Sequence, residues 1–207
     1  MKHAYLLAII TLFGISLSSA TEAMLGDVNA IGGYVNGTAG WTFSPTANIT
    51  VTDLGVYDYI FTNPNEGPIS VGLWSASGTL LASSLVASNS VLLNSTRYEP
   101  VAPTFLSAGL TYYIGGYGPA NTLVLSGEDP AMDGSATMAP EIQLGMAVYD
   151  LNAFGFPNTS IGDPGSALLV PNFQFVNAVP EPSSGALLML AVAVLAKNRM
   201  KRTKRTI

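Results

Sequence analysis

Ile69-Ser-Val-Gly-Leu-Trp-Ser75, followed by Ala76-Ser-Gly-Thr79 and the apolar run beyond it, carries the pattern that decides the fold. Ile69, Val71 and Leu73 recur at every second residue, with Ser70, Gly72 and Trp74 between them, which is the period of a half-buried β-strand. Ala76 to Thr79 then joins two strands as a tight hairpin, with Gly78 supplying the positive φ that such a turn needs.

Working outward, the same signature recurs. Short β-branched and aromatic runs, separated by Gly, Pro, Asn and Asp, predict strands near 40–44, 49–58, 69–75, 79–87, 97–102, 110–117, part of 136–148, and 168–177. In the second of these, Ile49 and Val51 fall out of phase with Leu54 and Val56, which predicts a β-bulge at Thr52-Asp53 that restores the inward face. Leu110, Tyr112 and Ile114 are expected inward, against Thr111, Tyr113 and Gly115. Trp41, in phase with Phe43, is expected in the core. Eight such strands predict an all-β fold, a two-sheet antiparallel β-sandwich of jelly-roll-like form. A signal helix and a C-terminal transmembrane helix are expected to flank it.

The ends support that division. Lys2 precedes an apolar run from Ala4 to Leu17 that closes on Ser18-Ser19-Ala20, the pattern of a secretory signal within residues 1–23. Cleavage is expected after Ala20, with Ser18 and Ala20 as the small flanking residues; a cut after Ala23, with Thr21 as the outer one, is the alternative. The body then spans 24–178. Near the other end, residues 183–196 are uncharged and largely apolar, and Lys197, Arg199, Lys201, Arg202, Lys204 and Arg205 follow at once. As a helix the run would reach about 21 Å, short of the roughly 30 Å hydrocarbon core, so it spans only with snorkelling or local thinning. The basic cluster orients this inner-membrane tail with its end in the cytoplasm and the body outside.

Between residues 24 and 178, eleven carboxylates face a single base, Arg97, a net of −10. Nucleic acid is therefore excluded as a partner, because phosphate recognition needs a basic footprint. The one histidine is His3, in the signal, and there is no cysteine. The body consequently has no Ser/His or Cys/His couple, no thiolate or imidazole metal site, no lysine for a Schiff base and no disulfide. Enzymatic chemistry is left only to carboxylate pairs, such as the acid and base of a glycoside hydrolase.

Three groups of side chains invite a role. Trp74 and Tyr113 fall on the outward faces of their strands, where two aromatic planes could stack on a sugar ring; the plainer reading has Trp74 packed beneath a loop or against residues 63–68. Arg97 and Glu99 share a strand face, so an ion pair between them is expected; the functional alternative has Arg97 gripping a carboxylate of an acidic polysaccharide. Glu128, Asp129 and Asp133 gather in a turn-rich loop, a solvated acidic segment or a weak calcium site. No other cofactor is expected.

Val179-Pro-Glu-Pro-Ser-Ser184, the apolar stretch after it and the basic end resemble the PEP-CTERM sorting signal of Gram-negative bacteria, within residues 179–207. The resemblance implies that Pro180, Glu181 and Pro182 are a recognition motif for exosortase, a membrane-embedded cysteine transpeptidase, and that the chain is its substrate. Two prolines flanking Glu181 also enforce an extended segment, which a processing enzyme could read. From about Gly33 to Pro119 the body resembles an uncharacterised sandwich module that recurs in PEP-CTERM and other secreted bacterial proteins. The matching stretches include Gly40-Trp-Thr-Phe-Ser44, Ile49 to Tyr57, Val71 to Ala82 and Leu110 to Gly115. These resemblances imply a non-enzymatic envelope or biofilm-matrix protein. It would use the secretion channel and signal peptidase, be held briefly at the inner membrane, then reach the cell surface or medium and associate with exopolysaccharide. A carboxylate-dependent glycoside hydrolase and a calcium-dependent adhesin are the alternatives.

Overall fold

The computed structural model describes residues 19–26, 34–35, 37–62, 67–117, 123–124, 137–161 and 171–178. The signal region before Ser19, the acidic loop with Glu128, Asp129 and Asp133, and the tail from Val179 on lie outside the described residues. The chain divides into two units, Met1–Asn177 and Ala178–Ile207, and the strands below belong to the first.

Its strands are β1 (Thr21–Glu22), β2 (Met24–Leu25), β3 (Tyr34–Val35), β4 (Thr38–Pro45), β5 (Ile49–Tyr57), β6 (Ile69–Ser75), β7 (Leu80–Val86), β8 (Val91–Leu93), β9 (Thr96–Leu106), β10 (Tyr112–Tyr117), β11 (Leu123–Val124), β12 (Thr137–Met138), β13 (Ile142–Asp150), β14 (Thr159–Ile161) and β15 (Pro171–Asn177). A 3-10 turn, Asp58–Thr62, follows β5. The first sheet runs β1-β15-β5-β9-β8 and the second β14-β13-β4-β10-β6-β7; β3 pairs with β11 and β2 with β12 in two small ribbons. All described pairings are antiparallel.

The eight strands expected from the sequence are β4, β5, β6, β7, β9, β10, β13 and β15. The short β1, β2, β3, β8, β11 and β14 carry too few residues to show a period. Leu110 departs from expectation: it precedes β10 and is exposed, so inward alternation begins at Tyr112. The hairpin after β6 is as read, with Gly78 at φ +81° and Ser75 N–H donating to Thr79 O at 3.0 Å.

The two large sheets pack face to face over one apolar core. Ile49, Val51, Leu54 and Val56 of β5, with Phe173 and Phe175 of β15, meet Trp41 and Phe43 of β4, Ile69, Val71 and Leu73 of β6, and Ile114 of β10, all of them fully buried. Across the layers the Phe173 ring lies 4.8 Å from Phe43 and 5.9 Å from Trp41. The Trp41 indole N–H donates to Pro171 O at 2.9 Å, so the one polar atom of that side chain is satisfied by the opposite sheet.

The expected bulge is present. Pairing with β9 skips from Val51 to Asp53, and pairing with β15 shifts between Gln174 and Phe175, so Thr52 is the extra residue. On the β9 side, Val101 to Pro103 bow out opposite it, since Val51 pairs with Thr104 and Asp53 with Pro100. That correction brings both halves of β5 onto the core face.

Two sheet edges are apolar. Leu80, Leu81 and Leu85 on β7, and Val91, Leu92 and Leu93 on β8, are exposed, and no charged residue occurs from Gly67 to Thr96.

Deleting Thr52 would restore strict alternation, keeping Val51, Leu54 and Val56 inward and Asp53 outward and making the register with β15 continuous. Deleting Gly55 would instead turn Val56 outward. The displaced Val56 would forfeit about 1.5–3 kcal/mol of burial. We expect deletion of Gly55 to lower the urea midpoint more than deletion of Thr52 does, while Thr52→Ser leaves it nearly unchanged.

Candidate functional site

Trp74 and Tyr113 are directly opposed on β6 and β10, on the outward face of the second sheet. They do neighbour each other, as a sugar platform requires, but the face is covered. Trp74 is only 3% exposed, as the reading that packs it beneath a loop expects, and Tyr113 is half-buried. Among the described residues the cover is the segment from Leu151 to Pro157 between β13 and β14; residues 63–66 of the other expected cover lie outside the described residues. Phe154 lies 5.5 Å from the Trp74 ring, and Phe156 meets Tyr113 edge-on at 4.7 Å.

Local chemistry explains why the indole lies flat. Gly72 and Gly115 are paired across the strands, and a Cβ on Gly72 would overlap the far edge of the Trp74 ring. The glycines leave a trough, and the indole fills it. Thr38, fully buried, fixes the cover: its hydroxyl donates to Ala153 O at 3.2 Å and accepts from Gly155 N–H at 3.0 Å. Asp150 adds a local turn, accepting from the backbone and side-chain nitrogens of Asn152 at 3.1 and 2.6 Å. The chain's own phenylalanines thus occupy the positions a sugar ring would take.

Arg97 does not pair with Glu99. Its guanidinium bonds Asp58 through Nε and donates through a terminal nitrogen to Ser90 O at 3.0 Å, while Glu99 accepts from Ser90 Oγ at 2.5 Å. The reason is register. Arg97 stands opposite Val56, and Asp58, two residues on, shares its face at the entry to the 3-10 turn. The turn before β8 inserts Ser90 between the two side chains that sequence spacing had joined.

A third constellation has no counterpart in the sequence reading. On the outer face of the first sheet, Tyr98 lies across Gly55, and both pair into the row that ends at Asn172. Asn172, fully buried, donates to Tyr98 Oη at 2.8 Å and to Met24 O at 3.0 Å, and accepts from Met24 N–H at 3.1 Å and Phe173 N–H at 2.8 Å. Beside it the buried Glu22 accepts from Asn94 Nδ2 at 3.0 Å. Burial raises the Glu22 pKa against the opposing effect of Asn94, and burial with the nearby Glu22 charge raises that of Tyr98. The only sequence signal for this cluster was Gly55 within a strand. Among the described residues no group of three or more His, Cys, Asp or Glu side chains could hold a metal.

These observations define an all-β module of antiparallel sheets. It belongs to a recognised family: the model of DUF4082, a domain of unknown function, matches residues 26–164, and the chain is a member. No curated protein matches it. The family match ends before β15, although that strand lies between β1 and β5 in the first sheet.

Trp74→Ala should cost about 3–5 kcal/mol, the loss for a buried large aromatic. Phe154→Ala should cost less and uncover the indole, seen as a red-shifted tryptophan emission while the core Trp41 stays blue. For Glu22, a raised folded pKa means that its contribution to stability is present below the ordinary carboxylate range and lost as pH rises through the folded value. Glu22→Gln should therefore gain melting temperature over the native protein as pH goes from 4 to 7.

Proposed function

We propose that this protein is an exported, non-enzymatic module of the cell envelope or extracellular matrix, sorted and processed by exosortase through its PEP-CTERM tail and associated with exopolysaccharide. Its body takes a jelly-roll-like form, in which the chain crosses between the two large sheets after β4, β5, β7, β9 and β14. The signal pattern before Thr21 and the Pro180-Glu-Pro182 motif ahead of an apolar run and a basic end support export and sorting.

The observation that carries the non-enzymatic reading is the engagement of five of the six carboxylates among the described residues, Asp53 being the sixth. Asp58 is spent on Arg97, Glu99 on Ser90, Glu22 on Asn94, Glu141 on Asn177 and Asp150 on Asn152. A glycosidase instead needs two carboxyl groups facing each other across a cleft, one held as an acid. The DUF4082 membership is compatible with this reading and names no activity.

The test uses the processed protein recovered from the envelope, mixed with the host's own extracellular polysaccharide, with cosedimentation and released reducing ends scored together. Cosedimentation without new ends is the expected result. New reducing ends would make the protein a carboxylate-dependent glycosidase, and absence from the pellet would remove polysaccharide association. Phe154→Ala locates the surface: stronger cosedimentation places sugar on the Trp74–Tyr113 face, and unchanged cosedimentation places it elsewhere.

A further inference from the structure

The signal region offers its peptidase two cuts, and the fold distinguishes them. Both Ala20 and Ala23 are small residues with an acceptable partner two positions earlier, Ser18 and Thr21 respectively. Local sequence does not choose between them.

We propose that the mature chain begins at Thr21, and that Thr21-Glu22-Ala23 is part of the folded body. This rests on the export reading above. Water adds across the Ala20–Thr21 amide, leaving a carboxylate on Ala20 and an ammonium on Thr21, with signal peptidase as the catalyst.

Ser19 and Ala20 are exposed and outside any strand, so nothing in the body is lost with them. From Thr21 to Leu25 each residue takes part in a strand pairing or a backbone hydrogen bond. Thr21 pairs with Phe175 and Glu22 with Gln174, making β1 the edge of the first sheet. Ala23, fully buried, donates its N–H to Phe173 O at 2.8 Å and accepts from Ala139 N–H at 2.9 Å. It thereby ties the first sheet to the β2–β12 ribbon. Glu22 accepts from Asn94 at 3.0 Å.

A cut after Ala23 would remove all of these bonds. It would also convert the Met24 N–H into an ammonium where that atom now meets Asn172 Oδ1 at 3.1 Å, with Met24 and Asn172 both buried. A charge at that place is strongly disfavoured, and Phe173 O and Ala139 N–H would lose their partners. The order of events does not alter the outcome. If folding comes first, the bond after Ala23 is buried and the bond after Ala20 is open; if cleavage comes first, only the longer product can complete the first sheet.

The experiment is N-terminal sequencing and intact-mass analysis of the protein recovered from the envelope of an export-competent Gram-negative host. Thr21 as the first residue is expected. Met24 as the first residue overturns the proposal and leaves export standing, whereas a chain still beginning at Met1 shows that export itself was misread and removes the proposal with it. Two full-length variants separate recognition from folding. Thr21→Leu, which blocks the later cut, should leave the mature start in place. Ala20→Leu should give either uncut precursor or a Met24-start product that proteases degrade at least tenfold faster; a Met24-start product as resistant as the native protein would overturn the structural role of these residues.

Discussion

The arrangement depends on one extra residue. At Thr52 the chain of β5 gains a step that β15 does not match, and β9 answers it with a three-residue excursion from Val101 to Pro103. Ile49 and Val51 before the bulge, and Leu54 and Val56 after it, then lie on the same face. Because side-chain direction in a strand has a period of two, no other local change reconciles those two pairs with a single core. The same step turns Gly55 outward, where Tyr98 lies over it and meets Asn172. Core and outer polar cluster thus share one backbone irregularity.

The outer faces follow a common plan. Each large sheet has an outward gap at glycine, Gly55 in one and the paired Gly72 and Gly115 in the other, and a large aromatic lies flat over it: Tyr98 over Gly55, Trp74 over Gly72. A second layer of chain then seals each aromatic, Met24 with Asn172 in the first case and Phe154 in the second. In a body with a single base and many carboxylates, these covers keep apolar area out of water without charge pairing.

Much of the scaffold was legible in the sequence because it is written in nearest-neighbour periodicity. Ile69, Val71 and Leu73 announce their face, Gly78 announces its turn, and the phase break between Val51 and Leu54 announces the bulge. The site was less legible, for a definite reason. Whether Trp74 meets water depends on Phe154, some eighty positions away in the sequence, and the partner of Arg97 depends on which residue of β5 stands opposite it. Alternation correctly put Trp74 on the outward face, yet it could not disclose that the face was covered. Likewise Arg97 and Glu99 were rightly given one face, but the Ser90 turn that separates them belongs to a different hairpin. The short strands β1 and β2 escaped notice because two residues carry no period.

The strand order also bears on how such a chain can be assembled. Thr21 pairs with Phe175, and β15, the last strand, sits between β1 and β5, which come early in the chain. The first sheet therefore cannot close until almost the entire module is present, and its topology has the high contact order that slows folding. A polypeptide threaded from its N-terminus would emerge with β5 lacking a neighbour on one side, its half-built core open to any strand-hungry companion or chaperone until residues 171–177 arrive.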